Sequence, residues 1–479
     1  MVISNYLGVF TQLSVVFGTS GIRGEFGSTI TAELALDIGR GLAVDGADCV
    51  VVGRDPRLTG ELLADACATG LRECGVDVVD IGVAATPTIA RSVGWRDADA
   101  GVAITASHNP PTDNGIKLWA PSGMAFDESR RERVATLVEA DVFAPAEWNE
   151  TGERRAWDRA TERHVEAVTE AIDADVIAEA APSVVVDVGN GAGGATVAAL
   201  RALGCHVETL NEVPDGRFPA RPSEPTAENC GTLRAAVANT DADLGVAHDG
   251  DADRMLAVTA DGAFVSGDVL LAIFALEAVR AVEGGDTANG AEPGDDDRTN
   301  GDGPAVAAPL NTSLAVEDAL AEAGASLRRT RVGDVYVAER ARADGCVFGG
   351  EPSGAWIWPE ETLCPDGTLA ACRLVEAVAR RGPLSSLADA IDSYPIRRGS
   401  IEVADDAKAP VMERVRARIE SEYDDPTTLD GVRVDSGDGW FLIRASGTQP
   451  LVRVTAEARA DSRAAELFER ARSFVEAAQ

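Results

Sequence analysis

The sequence predicts an α/β protein with three similar α/β domains, whose sheets are mixed but largely parallel, and a smaller C-terminal α+β domain. Three observations predict it. One unit (apolar strand, polar loop, helix, second strand) occurs three times along the 479 residues. Its strands are continuous Val-rich runs without alternation, the pattern of strands covered on both faces. The chain is 45% hydrophobic but only 5% aromatic, so its cores rest on Val, Ala, Leu and Ile, which suits alternating strands and helices.

Residues 1–16, "MVISNYLGVFTQLSVV", carry no basic n-region and no small-residue cleavage site. They read as an N-terminal tail or as a start placed too far upstream. Domain I is expected over 17–150, and its unit opens at Cys49 with "CVVVGRD". Domain II, 151–262, repeats the unit from Ser183 with "SVVVDVGNGAGG". Domain III, 263–388, repeats it from Ala305 with "AVAAPLNTS". Each helix, about fifteen residues long, is expected to stop at a C-capping glycine: Gly75, Gly204 or Gly324. The stretch 283–303 is acidic, rich in Gly, Asn and Asp, and has no apolar period. It reads as a disordered surface insertion without a catalytic role. Domain IV, 389–479, mixes strands with a helix from about Ala409 to Glu422, and "GDG" at 437–439 marks a hairpin turn.

The formal net charge of −36 excludes nucleic acid as a partner, because a phosphate backbone would be repelled. All but two of the 43 basic residues are arginine. This acid excess with almost no lysine reads as halophilic, since at roughly 1 M salt the Debye length falls to about 3 Å and self-repulsion is screened. No run of 18 apolar residues exists to span a membrane. The eight cysteines stand singly, without a C-x-x-C pair, so neither zinc nor a redox dithiol is signalled. The expectation is a cytoplasmic protein, monomeric or homodimeric.

Four loops carry candidate chemistry. In "TASHNPPTDNGIK" (105–117), Ser107 and His108 are sequence neighbours. A triad needs its base positioned across a cleft, and G-x-S-x-G is absent, so a serine hydrolase is a poor fit; a capped turn is the plain alternative. In "HDGDADR" (248–254), Asp249, Asp251 and Asp253 alternate after an apolar strand and can converge on one hard cation. Arg254 and Ala260 stand where an EF-hand needs Gly and Glu, so a calcium loop is excluded; a solvated acidic turn is the competing reading. In "GGEPSG" (349–354), Glu351 and Ser353 suit sugar hydroxyls, or only a glycine turn. In "RASGTQPLVR" (444–453), Arg444, Ser446, the Gly447 backbone, Thr448 and Arg453 form a phosphate cradle. "GNGAGG" (189–194) matches a dinucleotide fingerprint, with Glu208 beyond it, and would suggest an NAD-dependent oxidoreductase. That reading leaves the other loops unexplained and puts Glu208 inside the second strand.

Taken in order, these loops resemble those of the α-D-phosphohexomutase family, as do "FGTSGIRG" (17–24) and "VGRD" (52–55). The resemblance runs from about residue 17 to 475. It implies four domains around a central cleft and a phosphoserine at Ser107. It implies Mg²⁺ held by Asp249, Asp251 and Asp253 with a phosphoserine oxygen, and Arg23 near the same phosphate. Lys117 is then the expected general acid/base for the sugar hydroxyl, with His108 as its rival. Arg254, Asp334, Glu351 and Ser353 would face the sugar, and the Arg444 loop would hold the phosphate that is not reacting. The implied reaction interconverts hexose 6- and 1-phosphates through a bound 1,6-bisphosphate. "RVGDVYV" (331–337) and "GGEPSG" are most similar to the archaeal and bacterial branch acting on glucosamine phosphate; glucose and mannose phosphates are the alternative. A non-catalytic sugar-phosphate sensor would keep Arg444 but need neither Ser107 nor three metal carboxylates.

Overall fold

Four sheets organise the chain; the computed structural model describes residues 18, 21–288, 303–446 and 449–479. The first sheet joins β1 (Ile22–Glu25), β2 (Cys49–Arg54), β3 (Asp77–Val83), β4 (Ala100–Ile104), β5 (Asp113–Trp119) and β6 (Arg154–Ala156), in the order β1-β5-β4-β2-β3-β6. Strands β4, β2, β3 and β6 are parallel, while β5 and β1 add antiparallel neighbours at one side. The first sheet thus reaches Ala156, past the boundary expected at 150.

The second sheet takes β7 (Ser183–Asp187), β8 (His206–Leu210), β9 (Leu244–His248), β10 (Met255–Thr259) and β11 (Phe264–Val265), ordered β11-β10-β9-β7-β8. The third takes β12 (Ala305–Pro309), β13 (Ser326–Thr330), β14 (Cys346–Glu351) and β15 (Ala355–Ile357), ordered β13-β12-β14-β15. Both are mixed, as expected. The repeated unit is β2–helix–β3, β7–helix–β8 and β12–helix–β13. Its helices are Gly60–Glu73, Gly194–Ala202 and Leu314–Glu322, the last two shorter than expected at nine residues. Gly75, Gly204 and Gly324 follow them at φ +89°, +94° and +68°, a left-handed turn that only glycine takes cheaply.

The fourth sheet is antiparallel throughout: β16 (Ile396–Glu402), β17 (Val432–Asp435), β18 (Gly439–Ala445) and β19 (Leu451–Ala458), ordered β16-β19-β18-β17. Gly437, at φ +73°, turns the β17–β18 hairpin. The preceding helix starts at Asp405, not near Ala409, because Asp405 and Asp406 suit the positive end of its dipole. In domain III the helix Gly267–Ala288 continues into the stretch expected to be disordered. The rest of that stretch up to 302, and the 1–16 tail, lie outside the described residues. All eight cysteines are free thiols, and no described helix is long and apolar enough to cross a membrane.

Domains II and III share one apolar core, in which Val184, Leu200 and Leu244 pack with Phe274, Trp356 and Leu369. A buried polar knot ties domain I to both. Asp366 of domain III accepts from Arg91 Nε of domain I (2.9 Å) and meets His164 Nε2 of domain II (2.9 Å), whose Nδ1 meets the Thr88 hydroxyl (2.8 Å). Domain IV docks through Glu457, whose carboxylate accepts from Ser313 Oγ (2.5 Å), Leu314 N (2.8 Å) and Trp440 Nε1 (2.7 Å). This carboxylate from domain IV caps the positive end of a domain III helix.

Candidate active site

Ser107 lies in the loop between β4 and β5, fully buried, with φ +51°. A serine in left-handed backbone is uncommon and has to be held there. Its N–H donates to Thr105 Oγ1 at 2.8 Å, but the main restraint is Arg57. All five N–H donors of that guanidinium are used. They reach the carbonyls of Ser107 (2.9 Å), Asn109 (2.7 Å), Pro110 (2.5 Å) and Asp113 (2.7 Å), and Asp55 Oδ2 (3.0 Å). Asp55 also accepts from Thr105 Oγ1 at 2.7 Å. The sequence reading quoted "VGRD" but missed Arg57, two residues further on.

The acidic triplet occupies the turn between β9 and β10. All three aspartates are buried, and one oxygen of each lies within 4.8 Å of the others. Ser107 Oγ donates to Asp249 Oδ2 at 2.5 Å. Lys117 Nζ donates to Asp253 Oδ2 at 2.6 Å and reaches Asp251 Oδ2 at 3.4 Å. Thr86 Oγ1, from domain I, donates to the same Asp251 oxygen at 2.6 Å. The remaining oxygens, Asp251 Oδ1 and Asp253 Oδ1, are buried without a hydrogen-bond partner. Burying an unpartnered carboxylate oxygen is costly. Three hard oxygen donors with two open lone-pair sites fit a divalent cation, so the solvated-turn reading is excluded.

The electrostatics agree. Burial, reinforced by Asp253 and Asp251, pushes the Asp249 carboxyl well up. Burial and Asp251 also raise Asp253. Asp251 goes the other way: burial opposes its charge, but Lys117 and the Thr86 hydroxyl hold it below the usual range. Burial disfavours the Lys117 charge, but the Asp251 and Asp253 carboxylates outweigh it and hold its proton on. His108 is pushed down to about 2, by burial first and then by Arg254 and Arg23; its Nδ1 sits 3.4 Å from Ser107 Oγ. Arg23 pairs in β1 with Gly115 of β5, two residues from Lys117, and its buried Nε has no hydrogen-bond partner.

The glycine run 189–194 backs this site instead of binding a dinucleotide. A Cβ on Gly191 would come within 2.7 Å of the Gly250 carbonyl, and one on Gly189 within 2.6 Å of Arg221. Arg221 pairs with Asp187 (2.6 Å) and donates to the His248 carbonyl (2.7 Å), fixing the acidic turn from behind. Glu208 lies within β8.

Domain III reaches the same turn. Met255 N donates to the Gly354 carbonyl at 2.9 Å, and Arg254 bridges to Ala355. Glu351 accepts from Gly333 N (2.7 Å) and Ser353 Oγ (3.2 Å). Burial, then the neighbouring Asp334 charge, raises its carboxyl. Asp334 opens the helix Asp334–Ala341. In domain IV, Arg444 and Arg453 stand opposite each other on β18 and β19. Arg444 meets Asp430 (3.3 Å), which also accepts from Val332 N (3.2 Å), linking this loop to the 331–337 segment beside Glu351. Ser446 is buried, and its carbonyl accepts from Lys408, the second lysine of the chain, at 2.6 Å. Gly447 and Thr448 lie outside the described residues. Serine loop, acidic turn and Lys117 are therefore in direct contact. The 349–354 loop adjoins the acidic turn, and the Arg444 loop adjoins the 331–337 segment.

Comparisons with known proteins agree with this arrangement. The family models for phosphoglucomutase/phosphomannomutase match in sequence: alpha/beta/alpha domain I over residues 14–144, domain II over 162–262, domain III over 266–394 and the C-terminal domain over 400–473. A probable phosphoglucosamine mutase from Methanopyrus kandleri is 44% identical over 456 residues, covering 94% of this chain and 95% of the relative. One from Methanosarcina barkeri is 42% identical over 445 residues, covering 93% and 95%. Among solved structures, a phosphoglucomutase/phosphomannomutase family protein from Burkholderia thailandensis superposes with TM-score 0.83 at 29% identity, covering 97% of this chain and 98% of that one.

Asp251→Asn should weaken Mg²⁺ binding at least about tenfold in calorimetry, because an amide is a poorer ligand for a hard cation. Thr86→Val should weaken it less, by freeing the Asp251 carboxylate to rotate. Unchanged affinity in Asp251→Asn would remove the metal from this turn.

Proposed function

The chain belongs to the phosphoglucomutase/phosphomannomutase family, and from that premise we propose that it is a phosphoglucosamine mutase. It would interconvert glucosamine 6-phosphate and glucosamine 1-phosphate through a phosphoserine at Ser107 and a bound 1,6-bisphosphate. One observation carries the reading: a buried serine hydroxyl held 2.5 Å from the carboxylate of a triplet suited to a divalent cation. The archaeal relatives named for this activity support the choice of sugar.

Asp249, Asp251 and Asp253 would hold Mg²⁺, which when bound offsets charge on the transferring phosphoryl group. Arg57 keeps the Ser107 backbone in place, so the phosphoryl group is presented in one orientation; positioning is most of what phosphoryl transfer asks of a protein. In the first transfer the Ser107 Oγ–P bond breaks and a bond forms from phosphorus to the free sugar hydroxyl. Lys117 is the general acid/base in this reading: Asp251 and Asp253 otherwise hold it protonated, so it would take the hydroxyl proton once a bound cation draws those carboxylates from it, and would return that proton in the second transfer. His108 stays neutral and hydrogen-bonds the serine, while Arg23 faces the phosphate. The bisphosphate then turns over, and its other phosphate returns to Ser107. Arg444, Ser446, Gly447, Thr448 and Arg453 grip the phosphate that is not reacting, in both orientations. Arg254, Asp334, Glu351 and Ser353 line the sugar site.

Two experiments test this. Ser107→Ala should abolish turnover while sugar-phosphate binding in calorimetry stays within a few-fold of wild type; retained turnover would refute the phosphoserine. Glucosamine differs from mannose at C2, where its ammonium would meet Asp334 and Glu351. A charge-assisted hydrogen bond is worth about 1.5–3 kcal/mol, so kcat/KM should favour glucosamine phosphate over mannose phosphate at least about tenfold. Asp334→Asn should narrow the gap, and equal efficiencies would return the choice to glucose and mannose phosphates.

A further inference from the structure

A cavity of about 400 Å³ lies where domain IV faces domain III, lined by Asn311, Arg398, Ser400, Arg444, Arg453 and Thr455 among others. Strand register explains the crowding. Ser400 pairs with Arg453, and Arg453 with Arg444, so the three side chains form one row across β16, β19 and β18. Two residues along, on the same face, the next row is Arg398, Thr455 and Leu442. Guanidinium groups directly opposite in a ladder repel each other, and here a third stands on the diagonal. Two carboxylates on the same face are taken by other partners: Glu457 by Ser313, Leu314 and Trp440, and Asp435 by Arg433. Arg444 meets Asp430 at 3.3 Å, and among the described residues Arg453 meets only the Gln449 amide oxygen, at 3.3 Å. Arg398 is exposed and feels Asp268 through space. Asn311 adds an amide, whose N–H groups are donors of the kind a phosphate needs.

We propose that Arg398, with Ser400, Thr455 and Asn311, completes the phosphate cradle, so that the non-reacting phosphate meets three guanidinium groups. The inference rests on the hexose-phosphate reading. Guanidinium forks match phosphate oxygens two at a time, and a dianion relieves the repulsion that the register builds in. An exposed arginine at the mouth of an otherwise acidic protein also offers the arriving anion its first favourable field. Because the cradle holds the same phosphate before and during transfer, its loss removes binding common to both states. That raises KM and leaves kcat unchanged.

The test titrates inorganic phosphate and glucosamine 6-phosphate into wild type, Arg398→Ala, Arg398→Lys and Arg444→Ala by calorimetry, with KM and kcat measured in parallel. Arg398→Ala should weaken both ligands roughly tenfold and raise KM to match, with kcat within about twofold. Arg398→Lys should recover part of the loss, since it restores charge but not the fork. Unchanged affinity in Arg398→Ala, beside a clear loss in Arg444→Ala, overturns the role of Arg398 and leaves the hexose-phosphate reading intact. Unchanged affinity in both variants overturns the cradle itself. A fall in kcat with KM unchanged also overturns the proposal, because it places Arg398 outside ground-state binding.

Discussion

The 2.5 Å contact between Ser107 Oγ and Asp249 Oδ2 is the constraint on which the rest of the structure depends. It places a hydroxyl against three buried carboxylates, an arrangement that is unfavourable unless several other groups hold it. Arg57 holds the serine backbone, and Arg221 holds the acidic turn. Thr86 and Lys117 occupy one oxygen of Asp251, and Lys117 one of Asp253, which leaves Oδ1 of each open. Each support comes from a different strand end or loop, so the site exists only once domains I and II have docked. A site made at an interface is pre-organised by the same contacts that assemble the protein.

That dependence gives the inter-domain contacts a functional meaning. The Arg91–Asp366–His164–Thr88 knot joins the three α/β domains through a chain of hydrogen-bonded polar groups. Removing one partner would strand the others without water. Domain IV is attached differently, through Glu457 at a helix end and a small apolar cluster of Leu310, Leu314, Trp440 and Leu442. Ser107 and the acidic turn thus sit in the tightly joined part, and the Arg444 loop in the more lightly docked part.

Much of this was legible in the sequence, and the reasons are physical. Uninterrupted Val runs and capping glycines reveal strand–helix–strand units, because burial on both faces and left-handed turns leave few residue choices. The acidic triplet was legible because alternate aspartates after an apolar strand have few other uses. Arg57 was not: an arginine spending four donors on backbone carbonyls and the fifth on Asp55 looks in sequence like any surface arginine. Thr86 lies 165 residues from Asp251, and no local pattern announces that distance has closed. The glycine run 189–194 misleads for an instructive reason. Close backbone approach demands glycine whether the neighbour is a pyrophosphate or, as here, another turn of the same protein. The short β6 and the early start of the Asp405–Glu422 helix show the usual limit: boundaries depend on tertiary partners that the local sequence does not display.

The central claim is that Ser107 carries a phosphoryl group which it passes to a hexose phosphate. Intact-mass spectrometry of the purified chain tests it most directly. A species about 80 Da heavier than the sequence mass should be present or appear on treatment with hexose 1,6-bisphosphate. It should disappear when excess glucosamine 6-phosphate is added with Mg²⁺, and Ser107→Ala should never show it. A chain that turns over glucosamine phosphate without ever gaining that mass, or that gains it equally with Ser107 replaced, would contradict the account.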